Sequence, residues 1–527
     1  MKRNKRLVVV DLIKNNNILI KDCDFVALNF GTIRQKNVIN LDIKNYYKKF
    51  LVSAKKKYLN TLKKYLSKKK LYSIHPVELE ISNCRNEKYD YIHKVINIII
   101  LKEIVKDYQQ VEIIFDDPLY YNSYKSLSKK AKINFIGVKK SYPYVLNFLI
   151  SRIYFFIRTL LFISYIKFFK EKKQKTLSTE VNLSFYPLFY KDDQDYMYRN
   201  NEKNLNFLIT DETHLYSSLT GLYKKFLKIN NDKKIIIVEK YIQIKDVIQN
   251  LFFTFKLVKN LRFNNSFKIN NIEFDDIILS YFYKSLINRA KLSIYTEALL
   301  KITRIYEIKK INYIMFEYGF GFFLKNVLSK KIFFTGYQHG YYSDTIMWLD
   351  QVCSYKNKND FLPNRIICKN KWSFNSYKKK FSSRIIKIDK ENKIINSFFN
   401  EINNSLNDSN KSKNTKNKIL IICGAYDFNE IINSIKAISI KPDFKNTLFY
   451  LKIHPKMILN INLLDFANIK IIKKLGKNKF KKTIITSAST MTTEAENYLN
   501  RYSIVGLPFK HKMVPSNFPL KKIFNIY

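Results

Sequence analysis

"INYIMFEYGFGFFLKNVLSKKIFFTGYQHG", residues 311–340, is the stretch that decides the fold. An apolar run that ends at Glu317 leads through a glycine-containing turn into a helical segment, and a second apolar run ends at Gln338 and His339. This order of elements predicts a βαβ unit with parallel strands. Because the carboxyl ends of parallel strands lie at one edge of a sheet, where α/β proteins bind ligands, we expect Glu317 and His339 to lie there as neighbours.

The same alternation of predicted strands and helices extends along the chain. Short β-branched runs such as "LVVVDL" and "KIIIVEK" end in polar residues and are separated by segments long enough for helices. It predicts an α/β protein with two Rossmann-like domains that face a cleft. We place the N-terminal domain at residues 1–355, a connection with a polar linker at 356–418, and a C-terminal domain at 419–527.

The charge balance is strongly basic, with 94 Lys and Arg against 43 Asp and Glu and a net charge of +51. Such a chain attracts anions, but its basic residues are scattered, so a lysine-covered surface is favoured over a nucleic-acid interface. Five well-separated cysteines indicate neither a disulfide framework nor a zinc site. The N-terminus "MKRNKRLVVVDL" is typical of a first strand rather than a signal peptide, so a cytoplasmic location is expected.

Residues 144–169 are the most apolar segment. Asn147, Arg152 and Arg158 interrupt it, so no uncharged stretch reaches the ~18 to 20 residues needed to span a bilayer. Two interpretations stay open: a buried helix of the first domain, or an interfacial helix at the inner-membrane surface.

Glu317 and His339 are the candidate catalytic residues, because a carboxylate and an imidazole can act as acid and base. The structural alternatives are a carboxylate that favours a helix N-terminus and a histidine in a turn. Gln338, Gly340 and Tyr341 are expected to line the acceptor side of the cleft.

The C-terminal region contains the candidate phosphate-binding residues. One strand ends in "KIHPK", where the proline holds the preceding histidine in extended geometry, and a later strand breaks into "TSASTMTTE" before a helix. Ordinary N-capping by serine or threonine is the alternative for the second stretch. The candidates are Lys452, His454, Lys456, Ser487, Ser489, Thr490 and Glu494.

The "KIHPK" and "TSASTMTTE" pair resembles the pattern of bacterial surface-carbohydrate transferases of the GT-B type, which include polysialyltransferases, capsule Kdo transferases and teichoic-acid glycerophosphotransferases. The resemblance implies that His454, Ser487, Ser489 and Thr490 hold the phosphates of a donor nucleotide. It also implies a GT-B-like arrangement of the two domains, with an acceptor-side N-terminal domain and a nucleotide-binding C-terminal domain.

A second resemblance covers residues 180–510. "LSFYPLFYKDD", "FEYGFGFFLKNVLSKK", "GYQHG" and "LPNRIICKNKW" resemble, in this order, proteins of O-antigen and capsule biosynthesis. One departure concerns "FEYG", which has a single carboxylate where sialyl- and polysialyltransferases have an acidic pair. The expected donor is therefore a nucleotide sugar whose identity is open.

These patterns predict a glycosyltransferase, inverting rather than retaining, that needs no metal or other cofactor. Its partners would be a nucleotide-sugar donor and a carbohydrate or lipid-linked glycan acceptor. The alternatives are a glycerol-phosphate-type phosphotransferase, a non-catalytic carbohydrate-assembly protein and a nucleic-acid binder. A metal-dependent enzyme would use the acidic clusters at residues 22–24 or 192–195.

Overall fold

The structure is a computed structural model of the 527-residue chain. It describes the following residues, apart from short gaps inside some of the ranges: 6–11, 19–28, 35–68, 91–136, 144–167, 179–185, 205–209, 234–260, 266–338, 348–381, 386–388, 393–406, 417–424, 431–453, 468–486 and 502–505.

The first unit is built on a five-stranded parallel sheet. Its strands are β1 (Arg6–Asp11), β2 (Cys23–Ala27), β3 (Val38–Asn40), β4 (Gln110–Phe115) and β5 (Ala131–Phe135), in the order β3-β2-β1-β4-β5. Successive side chains of a strand point to opposite faces. Leu7 and Val9 of β1 accordingly belong to one buried apolar cluster, and Val8 and Val10 to another.

Helices cover this sheet. They are α1 (Ile43–Lys68), α2 (Tyr91–Ile104) and the short α3 (Tyr121–Lys125). The sequence predicts an exposed amphipathic helix over residues 45–70, and α1 confirms the helix. Its apolar face is buried in the core of the first unit at Tyr58 and Leu62, with lysines on the opposite face.

The second unit contains a seven-stranded parallel sheet, and the same stretch of chain includes a small antiparallel hairpin whose Ile269 and Ile272 lie in the core of the first unit. The helix α4 (Tyr144–Lys167) precedes it. The strands are β6 (Glu180–Phe185), β7 (Leu205–Ile209), β8 (Ile235–Ile237), the hairpin strands β9 (Lys268–Ile269) and β10 (Ile272–Glu273), β11 (Lys310–Ile314), β12 (Phe333–Tyr337), β13 (Arg365–Cys368) and β14 (Ile386–Ile388). The sheet order is β14-β13-β12-β11-β6-β7-β8.

Five further helices belong to this unit. They are α5 (Ile244–Asn260), α6 (Asp275–Ile305), α7 (Gly319–Leu328), α8 (Trp348–Cys353) and α9 (Lys371–Lys380). The long helix α6 joins the first two units. Ile278 and Phe282 near its start lie in the core of the first unit, whereas Ile294 and Leu299 lie in the core of the second.

The third unit follows the helix α10 (Lys393–Ser405). Its parallel strands are β15 (Lys418–Ile422), β16 (Leu448–Lys452), β17 (Ile469–Ile472), β18 (Lys482–Thr486) and β19 (Tyr502–Val505), in the order β17-β16-β15-β18-β19. Both faces of β15 are buried. Ile419 and Ile421 belong to one apolar cluster, and Leu420 and Ile422 to another that includes Phe399 of α10.

Two contacts hold neighbouring units together. Asp350 of α8 forms ion pairs with Lys55 of α1, at 2.8 Å, and with Lys380 of α9. Burial alone would raise the pKa of Asp350, but the two ammonium groups outweigh it and the pKa is lowered. At the other side of the second unit, Trp372 of α9 packs against the apolar cluster around Phe399 in the third unit.

The predicted α/β class with parallel Rossmann-like sheets is confirmed by the strand order of all three units. The predicted domain division stays a prediction. Residues 1–355 contain two sheets, and the second sheet continues past residue 355 because β13 pairs with β12 and β14 pairs with β13.

Candidate functional site

The candidate site lies at the carboxyl edge of the second sheet, where β11, α7 and β12 form the predicted βαβ unit. The two strands pair in parallel, with Ile314 opposite Tyr337 at their carboxyl ends. Glu317 follows the first strand after a short turn, and Gln338 directly follows the second. The prediction that these two strands are parallel neighbours is confirmed.

Glu317 follows β11, which pairs with β6 at a point of the sheet that matters for ligand binding. Starting from β6, the chain builds β7 and β8 on one side and β11 to β14 on the other, so the strand order reverses between β6 and β11. In open α/β sheets ligands bind outside the carboxyl ends of the strands at such a reversal. Glu317 follows one of the two strands that define it.

Glu317 has no solvent-exposed surface. Its Oε1 accepts a hydrogen bond of 2.8 Å from the hydroxyl of Tyr377, a fully buried residue of α9. This hydrogen bond gives the buried carboxylate an internal partner. This contact ties the turn after β11 to a helix that lies 60 residues further along the chain.

The thiol of Cys368, at the end of β13, is affected by the same carboxylate. Burial raises its pKa, and the negative charge of Glu317 raises it further. Only the thiolate is a nucleophile, so Cys368 remains a protonated, unreactive core residue at neutral pH.

Phe316, the residue before Glu317, packs against two glycines. A Cβ atom added at Gly321 would lie 2.4 Å from the Phe316 Cα, and one added at Gly336 would lie 2.7 Å from the Phe316 ring. Real Cβ atoms do not approach other atoms so closely, so only glycine fits at either position. The carboxyl end of β11 is therefore fixed by close packing as well as by the Glu317 hydrogen bond.

Gln338 is fully buried, and both ends of its amide group have protein partners. Its Nε2 donates to the Ser373 hydroxyl at 2.5 Å, and its Oε1 accepts from the Lys369 backbone N–H at 3.0 Å. Asn370 caps α9 by accepting from the Ser373 backbone N–H at 2.8 Å. Gln338 thus holds the end of β12 against the start of α9, whereas the sequence predicts that it lines the acceptor side of a cleft. His339, Gly340 and Tyr341 lie outside the described residues.

In the third unit, Lys452 lies at the carboxyl end of β16 opposite Ile422 of β15, whose other neighbour is Ile485 of β18. The strand order reverses between β15 and β18, so this edge too has the topology of a ligand site. Burial lowers the pKa of the Lys452 ammonium, and the charge of Glu401 opposes this shift. The remaining candidates, all outside the described residues, are His454, Lys456, Ser487, Ser489, Thr490 and Glu494.

The first unit contains a buried charged cluster that the sequence analysis missed. Asp11, at the carboxyl end of β1, forms an ion pair of 3.1 Å with Lys94 and accepts a 2.8 Å hydrogen bond from the Tyr124 hydroxyl. Burial alone would lower the pKa of Lys94, but Asp11 and Asp117 outweigh it and the pKa is raised. The sequence does contain a sign of this cluster, because the apolar runs of β1 and β4 both end in aspartates. The ion pair and hydrogen bond of Asp11 hold the end of β1 through contacts inside the protein.

No group of three or more potential metal ligands occurs among the residues that the structure describes. In the acidic cluster at residues 22–24, Asp24 accepts a 2.6 Å hydrogen bond from the buried Tyr108 hydroxyl, and Asp22 accepts one from Asn37. Both aspartates therefore have structural partners. The second acidic cluster, residues 192–195, lies outside the described part of the chain.

No protein-family model and no curated protein matches the sequence. Among solved structures, the chain is similar to the crystal structure of CalG4, the calicheamicin glycosyltransferase, with 9% identity, 63% of this chain and 80% of that chain covered, and a TM-score of 0.33. It is also similar to the UDP-N-acetylglucosamine 2-epimerase from Rickettsia bellii, with 10% identity, coverages of 62% and 77%, and a TM-score of 0.32. Similarities this weak carry no argument about the chemistry of this chain.

Proposed function

We propose that this protein is a glycosyltransferase of surface-polysaccharide biosynthesis, of capsule or O-antigen, which moves a sugar from a nucleotide-sugar donor to a carbohydrate or lipid-linked glycan without a metal ion. One observation carries the proposal. Two neighbouring parallel sheets, those of the second and third units, each place predicted site residues at a carboxyl edge beside a reversal of strand order. Trp372, beside the Gln338 network, packs against the third unit.

The reaction requires a base and groups that stabilise the negative charge of the leaving phosphate. The base removes the proton of the acceptor hydroxyl, and the oxygen attacks the anomeric carbon of the donor. The bond from that carbon to the phosphate oxygen breaks, and its electron pair leaves with the nucleotide. A single displacement inverts the anomeric centre. In this proposal the edge that contains Lys452 binds the leaving phosphate, together with His454 and the serine and threonine residues from 487 to 490.

The burial of Glu317 changes the assignment of the base. Its carboxylate has no exposed surface and accepts a hydrogen bond from Tyr377. A general base must lie within hydrogen-bond reach of the substrate proton. We therefore assign the base to His339, which directly follows Gln338 in the sequence, and assign Glu317 a positioning role in the turn after β11.

Two isosteric substitutions separate these roles. Glu317→Gln keeps an oxygen that can accept from Tyr377, so kcat should change little. His339→Gln removes the base, so kcat should fall roughly 10²- to 10⁴-fold while the KM for the donor is retained. The assay measures nucleotide release and sugar incorporation from a panel of CMP-, CDP-, UDP- and GDP-sugars.

The outcomes are distinct. A natively folded Glu317→Gln variant with as large a loss of kcat as His339→Gln would make Glu317 the base. Consumption of no nucleotide sugar would refute the transferase proposal. CDP-glycerol belongs in the panel because turnover of that donor alone would establish the phosphotransferase alternative.

A further inference from the structure

Two helices of the second unit expose apolar stripes to solvent. α4 and α5 pack against each other and against α6 on one side of the sheet. Five exposed apolar residues of α4 recur at intervals of three or four residues, which places them on one face: Leu146, Ile150, Ile153, Ile157 and Leu161. Four exposed apolar residues of α5 follow the same spacing: Ile244, Ile248, Phe252 and Phe255.

The exposure of these side chains is large. Leu161 is 65% exposed, Ile157 52% and Phe252 69%. Single exposed apolar residues are ordinary on protein surfaces, but two adjacent stripes are not, and they mark an interaction surface. We call these nine residues the α4–α5 surface.

The opposite face of α4 is anchored in the protein. Ile163 and Ile166 are buried, and Ile163 belongs to the core of the second unit. Arg152 is also buried, and its guanidinium donates to the side-chain and backbone oxygens of Asn250 in α5, at 3.0 and 3.3 Å.

Residues Leu149–Lys167 have the length and hydropathy of a membrane span. A spanning position would require α4 to leave this packing and would expose the Arg152 guanidinium to lipid. The helix is therefore suited to lie on a membrane with one face only.

Positive charges border the apolar stripes. Lys245 and Lys256 of α5 and Lys167 at the end of α4 are exposed. They belong to a chain with a net charge of +51. Apolar side chains flanked by lysines match the acyl boundary and the anionic headgroups of a phospholipid surface. This charge complementarity distinguishes a lipid partner from a second copy of this basic chain.

We propose that the α4–α5 surface docks the protein on anionic phospholipid membranes, with Ile157 and Phe252 among the inserted side chains and the bordering lysines at the headgroups. The docking needs only the described helices and does not depend on the proposed enzymatic function. A lipid-linked acceptor would be reached from such a position.

Flotation of the full-length protein with vesicles tests the proposal. Wild type should float with vesicles of phosphatidylcholine mixed with phosphatidylglycerol, and much less with phosphatidylcholine alone. The double variant Ile157→Ser/Phe252→Ser should partition about tenfold or more weakly, because both side chains lose apolar contact with lipid. Lys245→Gln/Lys256→Gln should weaken binding to the mixed vesicles and reduce its salt dependence.

A matched control is Val52→Ser in α1, where the side chain is 79% exposed on another unit. It should bind vesicles like wild type. The proposal is overturned if the Ile157/Phe252 variant, with wild-type circular dichroism, floats like wild type, or if the Val52 control loses binding equally. It is also overturned if light scattering shows a wild-type dimer that this double variant converts to a monomer while neither protein floats.

Discussion

Truncation of Glu317 should destabilise the second unit, because it removes the hydrogen bond with Tyr377. Glu317→Ala removes the acceptor that lies 2.8 Å from the Tyr377 hydroxyl, at a site where both residues are fully buried. Loss of one partner of a buried hydrogen bond costs about 1–3 kcal/mol, more when one partner is charged. Glu317→Gln keeps an acceptor oxygen and should cost about half as much, because a neutral hydrogen bond is roughly half as strong as a charge-assisted one.

The chain offers a convenient probe for this experiment. Its two tryptophans, Trp348 and Trp372, lie in α8 and α9 of the second unit. Tryptophan fluorescence during urea unfolding therefore reports on the unit that contains Glu317 and, through Trp372, on its contact with the third unit.

A double-mutant cycle isolates the contact. Glu317→Ala, Tyr377→Phe and the double variant should give a coupling free energy of about 1–3 kcal/mol. Additive effects, with a coupling below about 0.5 kcal/mol, would show that the Glu317–Tyr377 hydrogen bond does not contribute and would refute its role in holding the turn after β11.

Other parts of the structure give two further predictions. The pKa of Asp350 is lowered in the folded state, so its contribution to stability is present above its unfolded pKa, about 3.9, and is lost as the pH falls through its folded pKa. The difference in unfolding free energy between wild type and Asp350→Asn should therefore narrow below about pH 4 in an acid titration, and a constant difference would contradict the ion pairs with Lys55 and Lys380. Gly321→Ala should lower the urea midpoint by the equivalent of about 1–3 kcal/mol, because the new methyl group meets the Phe316 backbone; an unchanged midpoint would contradict that packing.

Local patterns in the sequence were sufficient to predict the elements of the site. The apolar runs before Glu317 and Gln338 are parallel neighbouring strands, as their spacing around one helix indicates. The number of sheets was not predictable in the same way. Which strands belong to which sheet depends on pairings between distant segments, such as that of β6 with β11. No local sequence pattern encodes such a pairing.

The surroundings of the site residues depend on distant contacts. Glu317 is buried and accepts a hydrogen bond from Tyr377, and Gln338 is satisfied by Ser373 and by the backbone of Lys369. A one-dimensional pattern identifies a polar residue at a strand end, but not whether a later helix covers it. Covered polar residues need internal partners, and both of these have them.

For residues 144–169, too, the local sequence predicts the helix but not its surroundings. The spacing of apolar and charged residues predicts a helix and leaves two interpretations open. The structure shows that α4 has one face in the protein core and the opposite face exposed, because α5 and α6 cover only one side. Arg152, which interrupts the apolar segment, pairs with Asn250 inside the protein.

Nucleotide binding tests the central claim most directly. Scanning calorimetry of the purified protein with CMP, CDP, UDP and GDP should show that one of them raises the melting temperature. A ligand at a hundred times its Kd stabilises the native state by about 2.7 kcal/mol, and Lys452→Ala should reduce that shift. No stabilisation by any of the four nucleotides would contradict the proposed nucleotide-sugar transferase.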